Sequence, residues 1–193
     1  MLDLILDFAL DTAHQAGRLL RDLFSQPHTV RSKSSEIDLV TEADLASDRL
    51  ITEAIRRRFP DHAIVSEEGL PDQSILARAD GGLWLVDPLD GTTNYAHGYP
   101  VWGVSLAFVE QGQVVMGVAY DPLREETFWA VQRGGAWCNG RPLRVSDVRS
   151  LHQALVATGF PYKRSVLADN NLPEFDAVVT RVQGERLSGA AVL

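Results

Sequence analysis

The chain has 193 residues, 45% of them hydrophobic and 23% charged, with 18 Lys and Arg against 26 Asp and Glu for a formal net charge of −8. That balance excludes a disordered or collagen-like polymer and argues against broad capture of nucleic acid or anionic membrane, since both need a basic patch. A single cysteine, Cys138, excludes an intrachain disulfide, the histidines are too scattered for a structural zinc pattern, and no uncharged apolar run reaches the ~18 residues of a membrane span.

Leu2, Ile5, Ala9, Ala13, Ala16, Leu20 and Leu23 recur at threes and fours, which predicts an amphipathic helix stopped by Pro27. The acids in its first turns and the missing basic segment are wrong for a signal peptide, so the cytoplasm is the expected compartment. Arg31-Ser-Lys-Ser-Ser-Glu36 reads as a mobile polar loop. A second helix is predicted after Thr41, its N-cap, with Leu45, Ile51, Ala54, Ile55 and Phe59 as the buried stripe before Pro60. Arg56–Arg58, the one basic cluster, is a solvated face of that helix.

Strand signals follow. Ala63–Ser66 runs into Glu67-Glu68-Gly69, and Leu83–Val86 runs into Asp87-Pro88, so each apolar run empties directly into acids. Val101–Val109, Val114–Tyr120 and Thr127–Val131 are separated by turn residues and predict an antiparallel meander, with Cys138-Asn-Gly140 as a further turn. The expected fold class is α+β, a layered sandwich with the N-terminal helices packed on an antiparallel sheet. A new unit is expected near Ser146, giving an α+β domain at 1–145 and the start of a second α/β domain at 146–193. In that second unit Leu155–Gly159 predicts a strand, Pro173–Val182 a helix and Gly189–Leu193 the first turn of another. Ending inside an apolar run leaves an edge in need of cover, so a longer natural chain is expected.

The chemistry concentrates in Asp87-Pro88-Leu89-Asp90-Gly91-Thr92-Thr93-Asn94. A strand delivers Asp87 at its carboxyl end, Pro88 forces the chain out of the sheet, and Gly91 permits a turn into a short helix opening at Thr92. That helix start would offer N–H donors to one phosphate. With Glu67 and Glu68 nearby, up to four acids would crowd a small volume, which like charges do not tolerate without a cation, and hard oxygen ligands fit Mg²⁺ or Mn²⁺. Plainer explanations stand beside these. Asp-Pro and Asp-Gly are ordinary turn pairs, Asp90 could cap the following helix, Glu67-Glu68-Gly69 fits a solvated turn, and Asp44 three residues after Thr41 fits a capping box. Lys33 is a surface lysine by default.

Taken in order, Lys33-Ser-Ser with Asp38-Leu-Val-Thr-Glu-Ala-Asp44, then Ile64-Val-Ser-Glu-Glu-Gly69, then Trp84-Leu-Val-Asp-Pro-Leu-Asp-Gly-Thr-Thr-Asn94 resemble the inositol monophosphatase family of Mg²⁺-dependent, lithium-sensitive phosphatases. The third block is similar to that family's W-x-x-D-P-x-D-G-T-x-N signature at every specified position, and Tyr95–Pro100 and Gly135–Gly140 continue the likeness.

The resemblance implies a site in which Glu67, Asp87 and the Leu89 carbonyl hold one metal, Asp87 and Asp90 a second, and Glu67 also touches a weaker third. It implies Thr92 and Asp44 as the catalytic pair that orients and deprotonates the attacking water, with Glu67 as a third catalytic group. Substrate would meet Glu67, Leu89, Asp90, Gly91 and Thr92, the N–H groups of Gly91 and Thr92 taking the phosphate. Gly189, Ala190 and Ala191 would lie near the sugar, although the family often has a hydroxyl residue where Ala190 stands. Lys33 would belong to a mobile loop over the metals, Glu68 would support the ligands, and His97 and Tyr95 are packing residues. A further metal aspartate, in a W-D-x-A-A-G segment, is not present in the sequence.

The expected activity is a Mg²⁺-dependent phosphomonoesterase for a small phosphorylated polyol, inositol-1-phosphate first. Related sugar, nucleotide or histidinol phosphates are the alternatives within the same chemistry, and a non-catalytic protein-interaction role is the alternative outside it. The expected partners are a small phosphorylated substrate and a second copy in a homodimer, without membrane or direct nucleic acid.

Overall fold

The apolar period of the first segment becomes helix α1 (Leu2–Phe24), which buries Ile5, Ala9, Ala13, Ala16 and Leu20 along one side. The computed structural model describes residues 2–26, 30–32, 39–69, 81–161 and 165–193. Strands β1 (Val30–Ser32) and β2 (Leu39–Thr41) pair antiparallel, so Arg31 and Ser32 stand in a strand and not in the expected loop, while Lys33 and Asp38 lie outside the described residues.

Helix α2 (Glu42–Arg58) starts at the predicted N-cap: Thr41 and Asp44 form a reciprocal capping box. Its inward face differs from the expected stripe. Ile51 and Ile55 are fully buried, but Leu45 is 39% exposed and Asp44 and Ser47 are buried in its place. The helix is turned so that polar groups face inward at its start, where the end of the sheet has backbone and hydroxyl groups to satisfy.

Both helices lie on one face of a seven-stranded sheet made of β3 (Ala63–Ser66), β4 (Leu83–Asp90), β5 (Gly103–Glu110), β6 (Gln113–Asp121), β7 (Glu126–Val131), β8 (Gly135–Cys138) and β9 (Arg141–Pro142), in that order. Trp84, Val86, Val104, Leu106, Phe108, Met116 and Val118 form the sheet's side of the core. Fully burying side chains of this size stabilises by ~1.5–3 kcal/mol each. Helix α1 comes so close that a Cβ at Gly17 would run into the Tyr120 ring and lie 2.8 Å from Cγ of Pro122.

The sheet is mixed, not antiparallel throughout, because β3 and β4 run parallel. The connection from residue 67 to 82 is long enough for the crossover that a parallel pair requires. Pro88 does not end β4 as predicted. The strand bulges there and rejoins the ladder at Asp90.

Past the sheet, β10 (Leu155–Ala157) pairs parallel with β11 (Gly184–Arg186). Helix α4 (Leu172–Val179) packs Phe175 edge-on to Phe160, with ring centroids 5.6 Å apart, but buries no residue fully; α3 is the short helix Thr92–Ala96. Gly189–Leu193 is not helical, contrary to expectation. Gly189 turns at φ +77 and the segment lies against α3 instead. No helix among the described residues is long and apolar enough to cross a membrane.

Candidate active site

Parallel pairing brings two acids together. Ser66 stands in register with Val86, and the Glu67 N–H donates to the Val86 carbonyl at 3.0 Å, so Glu67 and Asp87 follow side by side at the carboxyl ends of adjacent strands. The bulge in β4 adds Asp90. Asp87 pairs with Ser105 and Asp90 with Gly103, so three steps along β4 match two along β5. One extra residue reverses the alternation, and Asp87 and Asp90 face the same side where a regular strand would oppose them. Pro88 suits the bulge because it has no N–H to lose. Gly91 then turns at φ +90, where a Cβ would lie 3.0 Å from the Val101 carbonyl oxygen and 3.2 Å from the Ala190 Cβ. Only glycine fits that turn without strain.

Thr92 opens α3 with its side chain buried, its Oγ1 2.8 Å from Asp44 Oδ1 and 3.1 Å from the Leu89 carbonyl oxygen. A hydroxyl has one proton, so it serves one of these acceptors at a time. Asp44 Oδ2 is taken by the N–H and hydroxyl of Thr41. The capping box is thus formed by one oxygen of Asp44, while the other is paired with the Thr92 hydroxyl. Burial pushes the Asp44 carboxyl above its ordinary value, with the hydrogen bonds from Thr41 and Thr92 opposing.

Asp87 is pushed up to about 8, first by burial and then by the charges of Glu67 and Asp90 and a hydrogen bond with Glu67, while the Leu89 N–H works against the shift. That donor lies 3.2 Å from Asp87 Oδ1. Asp90 Oδ2 accepts from the Val192 N–H at 2.8 Å. Among the described residues no three acid, imidazole or thiol side chains converge on one point as they would around an ion. The donor set is oxygen throughout, and the mutual repulsion registered by Asp87 is what a hard divalent cation relieves, so these residues fit Mg²⁺ or Mn²⁺.

Ala190 is buried against Gly91, whereas Ala191 is exposed. Asn94 fastens that segment, its Nδ2 donating to the carbonyls of Ser188 and Val101, each at 2.7 Å. Asn94 has no role in the sequence reading beyond the signature. Ser47 and Asp48 have none at all, although their spacing from Asp44 marks one helical face. Glu68 is half-buried and interacting. Tyr95 is the packing residue expected, its hydroxyl donating to the Leu20 carbonyl at 2.7 Å.

The sequence matches the inositol monophosphatase family over residues 1–193. An inositol-1-monophosphatase of Synechocystis is 42% identical over 189 residues, which is 97% of this chain and 64% of that protein. A Nus factor SuhB of Pseudomonas aeruginosa is 40% identical over 192 residues, 98% of this chain and 70% of that one. The crystal structure of extragenic suppressor protein SuhB from Bartonella henselae superposes with a TM-score of 0.85 at 32% identity, covering 97% of this chain and 71% of that one. The chain thus spans less than two thirds of the Synechocystis protein's length. Matched from its first residue to its last, and carrying the same sheet-and-helix architecture, the chain belongs to the inositol monophosphatase family.

Proposed function

We propose that the protein is a Mg²⁺-dependent phosphomonoesterase of small phosphorylated polyols, with inositol-1-phosphate as its first substrate. The observation that carries this is the buried hydrogen bond between Thr92 and Asp44 beside the acids Glu67, Asp87 and Asp90. Family resemblance and the oxygen donor set support Glu67, Asp87, the Leu89 carbonyl and Asp90 as the groups that would hold divalent cations, which would supply charge neutralisation and a more acidic water. The rest of the chemistry belongs to the chain. Thr92 presents a hydroxyl whose direction is fixed by Asp44 and by the Leu89 carbonyl. Asp44, raised by burial, is a better proton acceptor than an exposed aspartate, and through Thr92 it takes the proton from the attacking water. N–H groups of Gly91 and Thr92 orient the phosphate, and Gly189, Ala190 and Ala191 border the polyol.

Phosphate release from inositol-1-phosphate by the purified protein tests the assignment. Activity should require Mg²⁺ or Mn²⁺, vanish in excess EDTA and return on adding the ion. Full turnover in EDTA would refute it. Running fructose-1,6-bisphosphate, 3′-phosphoadenosine 5′-phosphate and histidinol phosphate in parallel ranks the substrates. An interaction role is favoured by one observation, the Nus factor name of the Pseudomonas aeruginosa relative. With a net charge of −8, the partner would be protein and not bare nucleic acid. Retention of that role by a phosphatase-dead Asp87→Asn protein would separate it from catalysis.

A further inference from the structure

Helix α2 touches the site at more than Asp44. Ser47, fully buried, donates to the Pro88 carbonyl at 2.8 Å. Asp48 accepts from the Ser66 hydroxyl at 2.5 Å. Residues 44, 47 and 48 are three and four apart and share one helical face. Each therefore reaches a different point of the acidic segment: Thr92 after Asp90, Pro88 after Asp87, and Ser66 before Glu67.

Strand geometry explains why these points need holding. Strand β3 is at the sheet's edge and is only four residues long. Its last ladder bond is that of the Glu67 N–H, and the chain turns at once, with the Gly69 N–H donating to the Ser66 carbonyl at 3.1 Å. Paired residues of neighbouring strands point to the same face, so Ser66 shares the helix-covered face with Val86, and Glu67, one residue on, points to the face of Asp87. A group beneath the sheet can thus grip Ser66 without entering the site. In β4 the bulge takes the Pro88 carbonyl out of the ladder, and Ser47 satisfies it from the same helix.

We propose that Asp48 is a positioning residue, which through Ser66 fixes the end of β3 and so sets how tightly the Glu67–Asp87 pair binds a divalent cation. This rests on the metal assignment above. Holding the backbone beside a ligand reduces the ordering that ion binding must impose. Loss of such supporting hydrogen bonds typically weakens metal affinity by about 10–100-fold.

The test is Mn²⁺ titration of the purified protein, followed by electron paramagnetic resonance, on wild type, Ser66→Ala, Ser66→Thr, Asp48→Ala and the double variant. Ser66→Ala removes the hydrogen bond but keeps the Asp48 charge, so it separates tethering from long-range attraction of the cation. The expected result is affinity about tenfold weaker in Ser66→Ala, near wild type in Ser66→Thr, and no further loss when Asp48→Ala is added to Ser66→Ala. Any phosphatase activity should show the loss in the Mn²⁺ concentration needed, with kcat recovered at saturation. Wild-type affinity in Ser66→Ala overturns the proposal while leaving the metal site intact, as does an additive loss in the double variant. Wild-type protein that binds no Mn²⁺ overturns the metal assignment and this proposal with it. If Asp48→Ala fails to fold, the two Ser66 variants decide.

Discussion

The two oxygens of Asp44 have separate partners, Thr41 on one and Thr92 on the other, so capping the helix leaves the second oxygen facing Thr92. If the Thr92 hydroxyl carries the proton toward Asp44, Thr92→Ala should lower kcat ~10²-fold or more with metal affinity nearly unchanged, and Thr92→Ser should keep much of the rate. Equal losses in both, measured by steady-state kinetics, would assign the effect to the methyl group and its packing. Asp87 yields a prediction in pH. Its folded value of about 8 stands above the roughly 3.9 of an unfolded aspartate. Between those values the native state holds the extra proton, so without metal the stability should fall as pH rises from about 4 to 8. Asp87→Asn should flatten that fall, and Mg²⁺, binding the native state, should oppose it. Denaturant midpoints across this range in EDTA check the sign; a rise with pH would contradict the burial and charge crowding described. The signature made Asp87, Asp90 and Thr92 visible in the sequence. The bond from Thr92 to Asp44 was not visible from spacing, because it joins residues 48 apart and depends on where α2 docks.

Elements with a local cause were read most accurately. Helix α1 and the N-cap of α2 follow from periodicity and capping, and the meander from its turn residues. What escaped were features decided by a partner element. The parallel sense of β3 and β4 leaves the same alternation in sequence as an antiparallel pair, and a bulge at Pro88 looks like a strand end until Gly103 and Ser105 are seen opposite. Leu45 was placed inside because apolar spacing alone ignores the hydrogen-bonding needs of the strand end that α2 covers. Ser47 provides a direct check. Ser47→Ala leaves the buried Pro88 carbonyl without its donor, a loss expected to cost about 1–3 kcal/mol. Ser47→Thr retains the hydroxyl and should recover part of it. Urea denaturation of the two variants measures this, and an unchanged Ser47→Ala midpoint would mean that the bulge is held by the sheet alone.

At the scale of the molecule, the seven-stranded sheet and the segment beyond it are built very differently. Trp84, Val104, Leu106 and Phe108 are at most 1% exposed beneath α1 and α2, whereas Ala190 is the one buried residue described after position 145. We propose on this basis that 1–145 and 146–193 are separate cooperative units, divided where the meander's strand and turn pattern ends near Ser146. Their junction was not legible in sequence, since it is made of long-range contacts, among them the hydrogen bonds from Asn94 to the Ser188 carbonyl and from the Val192 N–H to Asp90. Opening free energy follows the apolar surface a region buries, so amides of β10, β11 and α4 should exchange with deuterium roughly a hundredfold or more faster than those of β4, β5 and β6. Asn94→Ala should speed exchange in residues 184–193 and leave the central strands protected. The junction also reaches the acids, because the N–H of Val192 occupies one oxygen of Asp90. Loosening the second unit should therefore alter the direction of that carboxylate while the fold of the sheet persists. Uniform protection across both units in hydrogen exchange would show that they open together, and the proposed division near Ser146 would have to be abandoned.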